Sequence, residues 1–129
     1  MTTRALADTS VFVALEQERP RRRKVPDEIV VSVVTVAELQ LGVLLADDPT
    51  TRALRLKTLT YVESTFEPVP IDAPAAREWA RLVADCRRAR RRVPINDLWI
   101  AATAMVRDLA VLTQDADYDG IPGLRVMKT

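Results

Sequence analysis

The residues of this sequence best suited to chemistry are acids that stand among apolar side chains. Four positions fit this description, namely Asp8, Glu38, Asp97 and Asp115, and Asp117 follows closely after the last of them. Two such charges about 4 Å apart repel each other by roughly 4 kcal/mol at an effective dielectric constant of about 20. If these acids meet in the folded chain, they must either take up protons or hold a cation.

Taken singly, most of these acids also have a structural interpretation. Asp8 fits a turn or helix cap, Asp97 fits the first turn of a helix, and Asp115 and Asp117 fit an ordinary polar loop. Glu38 is harder to explain in this way, because apolar residues surround it and a buried carboxylate needs a partner. No Lys or Arg is adjacent to it, so a divalent cation such as Mg²⁺ or Mn²⁺, which prefers oxygen ligands, is the simpler hypothesis.

The composition excludes several other chemistries. The chain of 129 residues has no histidine, only three glycines, and Cys86 as its single cysteine. It therefore lacks the residues for a Ser-His-Asp or Cys-His nucleophile, a thiolate zinc site, an intrachain disulfide or a glycine-rich phosphate loop. Without histidine, the common metal-free route to RNA cleavage is also absent. Carboxylates with a hard cation are typical of phosphoryl chemistry, which is the class that we expect.

The net charge of +1 conceals two basic clusters. The first consists of Arg19, Arg21, Arg22, Arg23 and Lys24, and the second of Arg87, Arg88, Arg90, Arg91 and Arg92. Such clusters attract phosphate backbones through Coulomb forces and counterion release. A solvated loop or a helix end explains either cluster equally well, since the helix dipole favours cations near a helix C-terminus.

Strands and helices are expected to alternate along the chain. Apolar runs predict strands at 5–7, 29–31, 67–71, 110–113 and 124–127. Helical spacing predicts five helices, which begin near Ser10, Val34, Thr50, Asp72 and Asn96, with Ser10, Asp72 and Asn96 as caps. Prolines within 67–71 indicate an edge strand. Asp8 then follows a strand directly and Asp115 follows one after a single residue, whereas Glu38 and Asp97 lie on helices.

This alternation predicts an α/β fold, a three-layer α/β/α sandwich around a mainly parallel central sheet. Sites in such sheets form beyond the carboxyl ends of the strands, where we expect Asp8 and Asp115. The length, without linker or repeat, predicts one domain over 1–129. No apolar run approaches the ~20 residues that cross a bilayer, and no signal peptide is recognisable, so we expect a cytoplasmic protein.

Four segments resemble, in order, the motifs of the PIN-domain ribonucleases, specifically the VapC-type toxins of VapBC toxin–antitoxin systems. They are 7–10 (Ala-Asp-Thr-Ser), 32–39 (Ser-Val-Val-Thr-Val-Ala-Glu-Leu), 96–102 (Asn-Asp-Leu-Trp-Ile-Ala-Ala) and 112–118 (Leu-Thr-Gln-Asp-Ala-Asp-Tyr). An isolated Asp-Thr-Ser has little specificity, but the four motifs together are specific. The resemblance extends over essentially the whole chain and implies a PIN-like fold.

The resemblance implies a Mg²⁺- or Mn²⁺-dependent endoribonuclease that hydrolyses RNA phosphodiesters. The implied catalytic acids and metal ligands are Asp8, Glu38, Asp97 and Asp115, with Asp117 as a further ligand. The metal would activate water for in-line attack and leave 5′-phosphate and 3′-hydroxyl ends. Thr9 and Ser10 would orient ligands or the scissile phosphate, and Arg90, Arg91 and Arg92, with the loop at 19–24, would grip the RNA backbone.

The resemblance also implies a VapB-type antitoxin as partner, and a homodimer or a toxin–antitoxin hetero-oligomer. One alternative is a catalytically inactive PIN fold that binds RNA or protein, but the intact set of acids argues against it. Another is a phospho-acceptor receiver domain, which is also acidic and α/β. That domain needs a lysine beyond a late strand, and none of Lys24, Lys57 and Lys128 is suitably placed.

Overall fold

The computed structural model describes residues 2–19 and 25–129 and contains a parallel sheet between two layers of helices. The strands are β1 (Arg4–Ala7), β2 (Glu28–Val30), β3 (Ala110–Thr113) and β4 (Val126–Lys128). The helices are α1 (Thr9–Glu16), α2 (Val33–Leu44), α3 (Pro49–Thr65), α4 (Ala73–Arg88) and α5 (Ile95–Val106). The strand order is β2-β1-β3-β4 with parallel pairing throughout, so the predicted α/β sandwich is confirmed.

Alternate residues of the two central strands face two separate apolar cores. Ala5 and Ala7 of β1 pack with Leu112 of β3 in the core formed with α1, α2 and α3. Leu6 and Val111 face the opposite core, which is formed mainly with α4 and α5. Both strands are therefore buried on both faces, which explains their uninterrupted apolar sequence.

The predicted strand at 67–71 is wrong. This segment forms a single parallel bridge, between Val69 and Ser32, just beyond the end of the outer strand β2. Pro68 and Pro70 flank Val69 and have no amide hydrogen to donate, so the ladder does not extend in either direction. The segment lies at the edge of the sheet, as its prolines indicated.

Two of the three predicted helix caps are also wrong, and the last strand is displaced. Asp8, not Ser10, caps α1, and its side chain accepts a hydrogen bond from the amide of Thr9. α5 begins after Pro94, which offers no side-chain cap, instead of after Asn96. The final strand covers Val126–Lys128, not 124–127. The cap at Asp72 is confirmed, since its carboxylate accepts from the amide of Ala75.

The two central strands end side by side, and this arrangement positions the candidate site. Ala7 of β1 is in register with Leu112 of β3, and the amide of Asp8 donates to the Leu112 carbonyl at 2.8 Å. The residues that follow β1 and β3 therefore lie at the same end of the sheet. Among the described residues, no helix combines the length and the apolar character that a bilayer crossing would require.

Candidate active site

Three of the predicted acids meet beyond the carboxyl ends of β1 and β3. One carboxylate oxygen from each of Asp97, Asp115 and Asp117 lies within 4.8 Å of the others. Asp97 is buried in the first turn of α5, whereas Asp115 is half-buried and Asp117 exposed in the loop that follows β3. Two distant parts of the sequence thus supply one anionic pocket, which we call the acid cluster.

Asp8 lies beside the acid cluster and is held by uncharged donors. Its side chain is only 2% exposed. Oδ1 accepts hydrogen bonds from the Thr9 amide at 2.7 Å and from the Tyr118 hydroxyl at 3.0 Å. Oδ2 accepts one from the Thr113 hydroxyl at 2.9 Å. These bonds fix the orientation of the carboxylate and stabilise its negative charge without neutralising it.

Glu38 reaches the site from α2 and is half-buried, as predicted. Its Oε1 accepts a hydrogen bond from the Thr9 hydroxyl at 2.7 Å, and that hydroxyl also lies 3.1 Å from Oγ1 of Thr35. Thr9 therefore contacts Asp8 through its amide and Glu38 through its side chain. The first residue of α1 thus links two acids that are 30 residues apart in sequence.

The Ser10 hydroxyl takes part in holding the loop after β3. Its Oγ accepts from the Gln114 amide at 3.0 Å and lies 3.2 Å from Oγ1 of Thr113. Thr113 in turn accepts from the Asp115 amide at 2.9 Å. These contacts fix the start of the loop that carries Asp115, and they give Ser10 a positioning role in the structure.

Burial and repulsion raise the pKa of Asp97 to about 7, from an ordinary value of 3.8. Loss of hydration is the largest cause, and the charge of Asp8 is the next. The Tyr118 hydroxyl opposes the rise by hydrogen bonding, while the charges of Asp117 and Glu38 add to it. Near neutral pH, the protonated and charged forms of Asp97 are consequently present in similar amounts.

The pKa of Asp115 is raised for similar reasons. Burial contributes most, followed by the charges of Asp8 and Asp117, and the positive charge of Lys128 partly opposes them. Two acids of the cluster thus hold protons more tightly than they would in water. Such a site favours any species that brings positive charge, whether a proton or a cation.

The donors at this site fit a hard divalent cation. The acid cluster offers three carboxylate oxygens, and hard cations prefer oxygen ligands. Among residues 2–19 and 25–129, no ion pair involves Asp8, Glu38 or any member of the acid cluster. Lys128, the nearby lysine, donates to the main-chain carbonyl of Asp115 and pairs with Asp119 at 2.9 Å.

Reasoning from sequence did not assign Tyr118 and Thr113 to the site. Tyr118 is fully buried although it lies in a polar loop, and its hydroxyl is used by Asp8. Thr113 ends a fully buried strand, where a hydroxyl must find a partner. The available signals were a single tyrosine among acids and a polar residue at the end of an apolar run.

The structure separates the arginines of the second basic cluster. Arg90 and Arg92 are exposed, and Arg87, Arg91 and Arg92 all line a groove that also includes Asp117. Arg91 is half-buried, and its guanidinium donates to main-chain carbonyls of the loop after β3. Of the first basic cluster, Arg19 is exposed, and Arg21, Arg22, Arg23 and Lys24 lie outside the described residues.

Comparisons of sequence and of structure with known proteins lead to the same family. The PIN domain family model matches residues 5–124. The chain is 50% identical to Ribonuclease VapC4 of Mycobacterium tuberculosis over 125 residues, covering 96% of this chain and 95% of that protein. It is 49% identical to Ribonuclease VapC5 of the same species over 117 residues, covering 90% and 86%. A crystal structure of VapBC-5, a member of the VapBC family of toxin-antitoxin systems from Mycobacterium tuberculosis, matches with a TM-score of 0.86 and 44% identity over 98% of this chain and 99% of that chain.

The raised pKa of Asp97 makes stability depend on pH in a defined direction. The folded protein retains the Asp97 proton up to about pH 7, whereas the unfolded chain loses it near pH 3.8. In metal-free protein, the free energy of unfolding should therefore fall as pH rises from 5 to 8, by about 1–3 kcal/mol from this group. Asp97→Asn should remove this loss and be the more stable protein at pH 8. Urea unfolding in EDTA at several pH values measures both.

Asp47→Asn is the matched control, because Asp47 is an exposed acid between α2 and α3. It should leave the pH profile unchanged. Saturating Mg²⁺ should remove the advantage of Asp97→Asn, since a ligand stabilises the form that binds it better. Identical pH profiles for wild type and Asp97→Asn in EDTA would contradict this account of the site.

Proposed function

This chain belongs to the PIN-domain family, in its VapC-type branch, and we propose that it is a metal-dependent endoribonuclease that acts as the toxin of a toxin–antitoxin pair. The names of two relatives, Ribonuclease VapC4 and Ribonuclease VapC5, support the activity. The observation that carries the proposal is the acid cluster, Asp97, Asp115 and Asp117, close enough to Asp8 for its charge to raise the pKa of Asp97. We propose that the whole chain, 1–129, forms one nuclease domain.

Mg²⁺ or Mn²⁺ is the proposed cofactor, held by Asp97, Asp115 and Asp117. Asp8 is a further proposed ligand, because its Oδ2 accepts a single hydrogen bond and keeps a lone pair. When bound, the cation would lower the pKa of a water and stabilise the leaving 3′ oxygen. Glu38, which Thr9 orients, would hold the attacking water or a second ion.

The RNA backbone is proposed to lie along the groove between the end of α4 and the start of α5. Arg87, Arg91 and Arg92 line this groove, and Asp117 of the acid cluster also lines it. Guanidinium groups suit phosphate because their planar fork matches two of its oxygens. Arg90, exposed between them in sequence, is a further proposed contact. The groove would thus guide a strand toward the acid cluster.

A VapB-type antitoxin is the proposed partner. Phe12, Leu15, Leu54 and Tyr61 line a cavity between α1 and α3, and Glu16 borders both this cavity and a second one that reaches Thr9 and Glu38. An apolar segment that ends in a basic residue would complement this continuous surface. We also propose self-association into a homodimer or a toxin–antitoxin hetero-oligomer, and a cytoplasmic location, where RNA and antitoxin would be met.

Nuclease assays distinguish this proposal from the alternative, an inactive PIN fold that only binds RNA or protein. Purified protein should cleave single-stranded RNA in Mg²⁺ or Mn²⁺ and leave 5′-phosphate and 3′-hydroxyl ends. Asp97→Asn should lower the rate by roughly a hundredfold or more, because it removes an acid from the centre of the site. End analysis by ligation and a rate series in each metal measure these outcomes.

Asp47→Asn again serves as control and should cleave like the wild type. Full activity of the wild type in excess EDTA, or of Asp8→Asn in Mg²⁺, would refute metal-dependent hydrolysis at this site. RNA binding without cleavage in either metal would instead favour the inactive module.

The proposed RNA path predicts a specific salt dependence. In the Asp97→Asn background, which should bind without cutting, neutralising Arg90 and Arg92 together to Gln should flatten the slope of log affinity against log salt by about 1.4, because each phosphate contact to a single strand contributes about 0.7. Arg77→Gln, which changes an exposed arginine elsewhere on α4, should leave the slope unchanged. Fluorescence anisotropy with labelled RNA provides the slope, and an unaltered slope in the double variant would remove these arginines from the interface.

The partner for this test is the product of any short reading frame found to precede or overlap this gene. Leu54→Glu should weaken the complex by roughly thirtyfold or more, because it places an unpaired charge in an apolar contact. Leu56→Glu is a close control, since Leu54 and Leu56 are 47% and 49% exposed on α3 but only Leu54 lines the cavity. Equal affinities of the two variants in calorimetry would place the antitoxin elsewhere.

A further inference from the structure

Arg91 connects the end of α4 to the loop that carries two of the acids. Its Nη2 donates to the main-chain carbonyl of Asp117 at 3.2 Å and to that of Asp119. We call residues 114–120 the acid loop. Arg91 forms no ion pair with any of the described carboxylates, although it contacts the main chain of Asp117. The contact is therefore with the backbone of the loop and not with the charges of its acids.

Backbone conformation on the α4 side directs Arg91 toward the acid loop. Arg90 has a left-handed conformation, with φ at 53°, immediately after α4. The amide of Arg91 then donates back to the Cys86 carbonyl at 2.8 Å, and that of Arg90 to the Arg87 carbonyl at 3.2 Å. This pattern ends a helix and reverses the chain. These backbone hydrogen bonds consequently fix the position from which the Arg91 side chain extends.

The acid loop is shaped to receive this side chain at Gly120. This glycine has φ at +75°, and a Cβ built on it would lie 3.2 Å from Nη1 of Arg91. A larger residue would therefore be strained and would press on the guanidinium. The turn before Arg91 and the glycine at position 120 thus both have the backbone conformation that the contact requires.

We propose that Arg91 is a positioning residue, which holds the acid loop in its metal-binding conformation before any metal is present. The proposal rests on the metal site proposed above. Asp115 and Asp117 lie in a segment without regular secondary structure, so ordering them on binding would weaken the affinity for a cation. A clamp on the carbonyls of residues 117 and 119 supplies that order in advance, while the carboxylates of Asp115 and Asp117 form no ion pair with any described residue.

Metal affinity tests the clamp, because replacing Arg91 changes that affinity in opposite directions through lost charge and through lost loop order. Arg91→Gln removes a positive charge near the acids, and on charge alone Mn²⁺ would bind more tightly. Loss of the clamp should instead weaken binding, by about tenfold. Arg92→Gln removes the same charge from the next residue, which makes no hydrogen bond to the acid loop within the described part of the chain, and should not weaken Mn²⁺ binding. Titration calorimetry with MnCl₂ measures all three proteins.

Arg91→Lys separates charge from geometry. Both carbonyls accept from the single Nη2 atom of Arg91. Lysine keeps the charge, but its Nζ is one bond nearer the backbone and lacks the planar geometry of the guanidinium, so Arg91→Lys should also bind Mn²⁺ more weakly than the wild type. Wild-type affinity in Arg91→Lys together with tighter binding in Arg91→Gln would overturn the proposal. Thermal unfolding of each variant establishes that it is folded before its affinity is compared.

Hydrogen exchange in metal-free protein gives a readout that needs neither metal nor RNA. The amide of Asp119 donates to Ala116 and that of Ile121 to Tyr118, at 3.0 and 3.3 Å. Both amides should exchange faster in Arg91→Gln and Arg91→Lys than in wild type or Arg92→Gln. Unchanged exchange would overturn the clamp. If the wild type binds no Mn²⁺ but exchange follows this pattern, the metal site fails and the clamp stands.

Discussion

Repulsion among carboxylates at the end of the parallel sheet is the interaction on which the arrangement of this molecule depends. Register between β1 and β3 brings Asp8 and Asp115 to the same edge, and α5 adds Asp97 from the opposite face. Neutral donors, Tyr118 and Thr113, stabilise the charge of Asp8. The positive charge of Lys128 only partly offsets that of Asp115. Negative charge is thereby concentrated and oriented, and the described residues compensate it only in part, which suits the cation proposed above.

The positive side chains near the site follow the same logic. Arg91 and Lys128 both lie close to the acid loop, yet both direct hydrogen bonds to its main-chain carbonyls. Carbonyl oxygens carry no net charge, so these bonds order the loop without pairing the carboxylates of Asp115 and Asp117. Asp119 of the same loop does pair with Lys128. A salt bridge to Asp115 or Asp117 would have given similar rigidity and reduced the attraction for metal.

Sequence reasoning succeeded where one physical rule decided the outcome. Apolar runs located the central strands, and the rule for the carboxyl ends of parallel strands placed Asp8 and Asp115 at the same end of the sheet. The rule was insufficient where tertiary contacts decide: the five arginines near the end of α4 look equivalent in sequence, and only the left-handed turn at Arg90 selects Arg91 for the loop. The burial of Tyr118 likewise depends on packing against distant elements, which local spacing does not reveal.

The short outer strands limit how copies of this protein can associate. β2 and β4 each have three residues, and Pro68 and Pro70 stand beside the bridge that follows β2. Short edge strands are poor templates for adding a strand from another molecule, and prolines, which stand here on the β2 side, make them poorer still. Fibrous growth through continuous intermolecular sheets is thereby disfavoured, and the helical surfaces are left as the principal route to assembly.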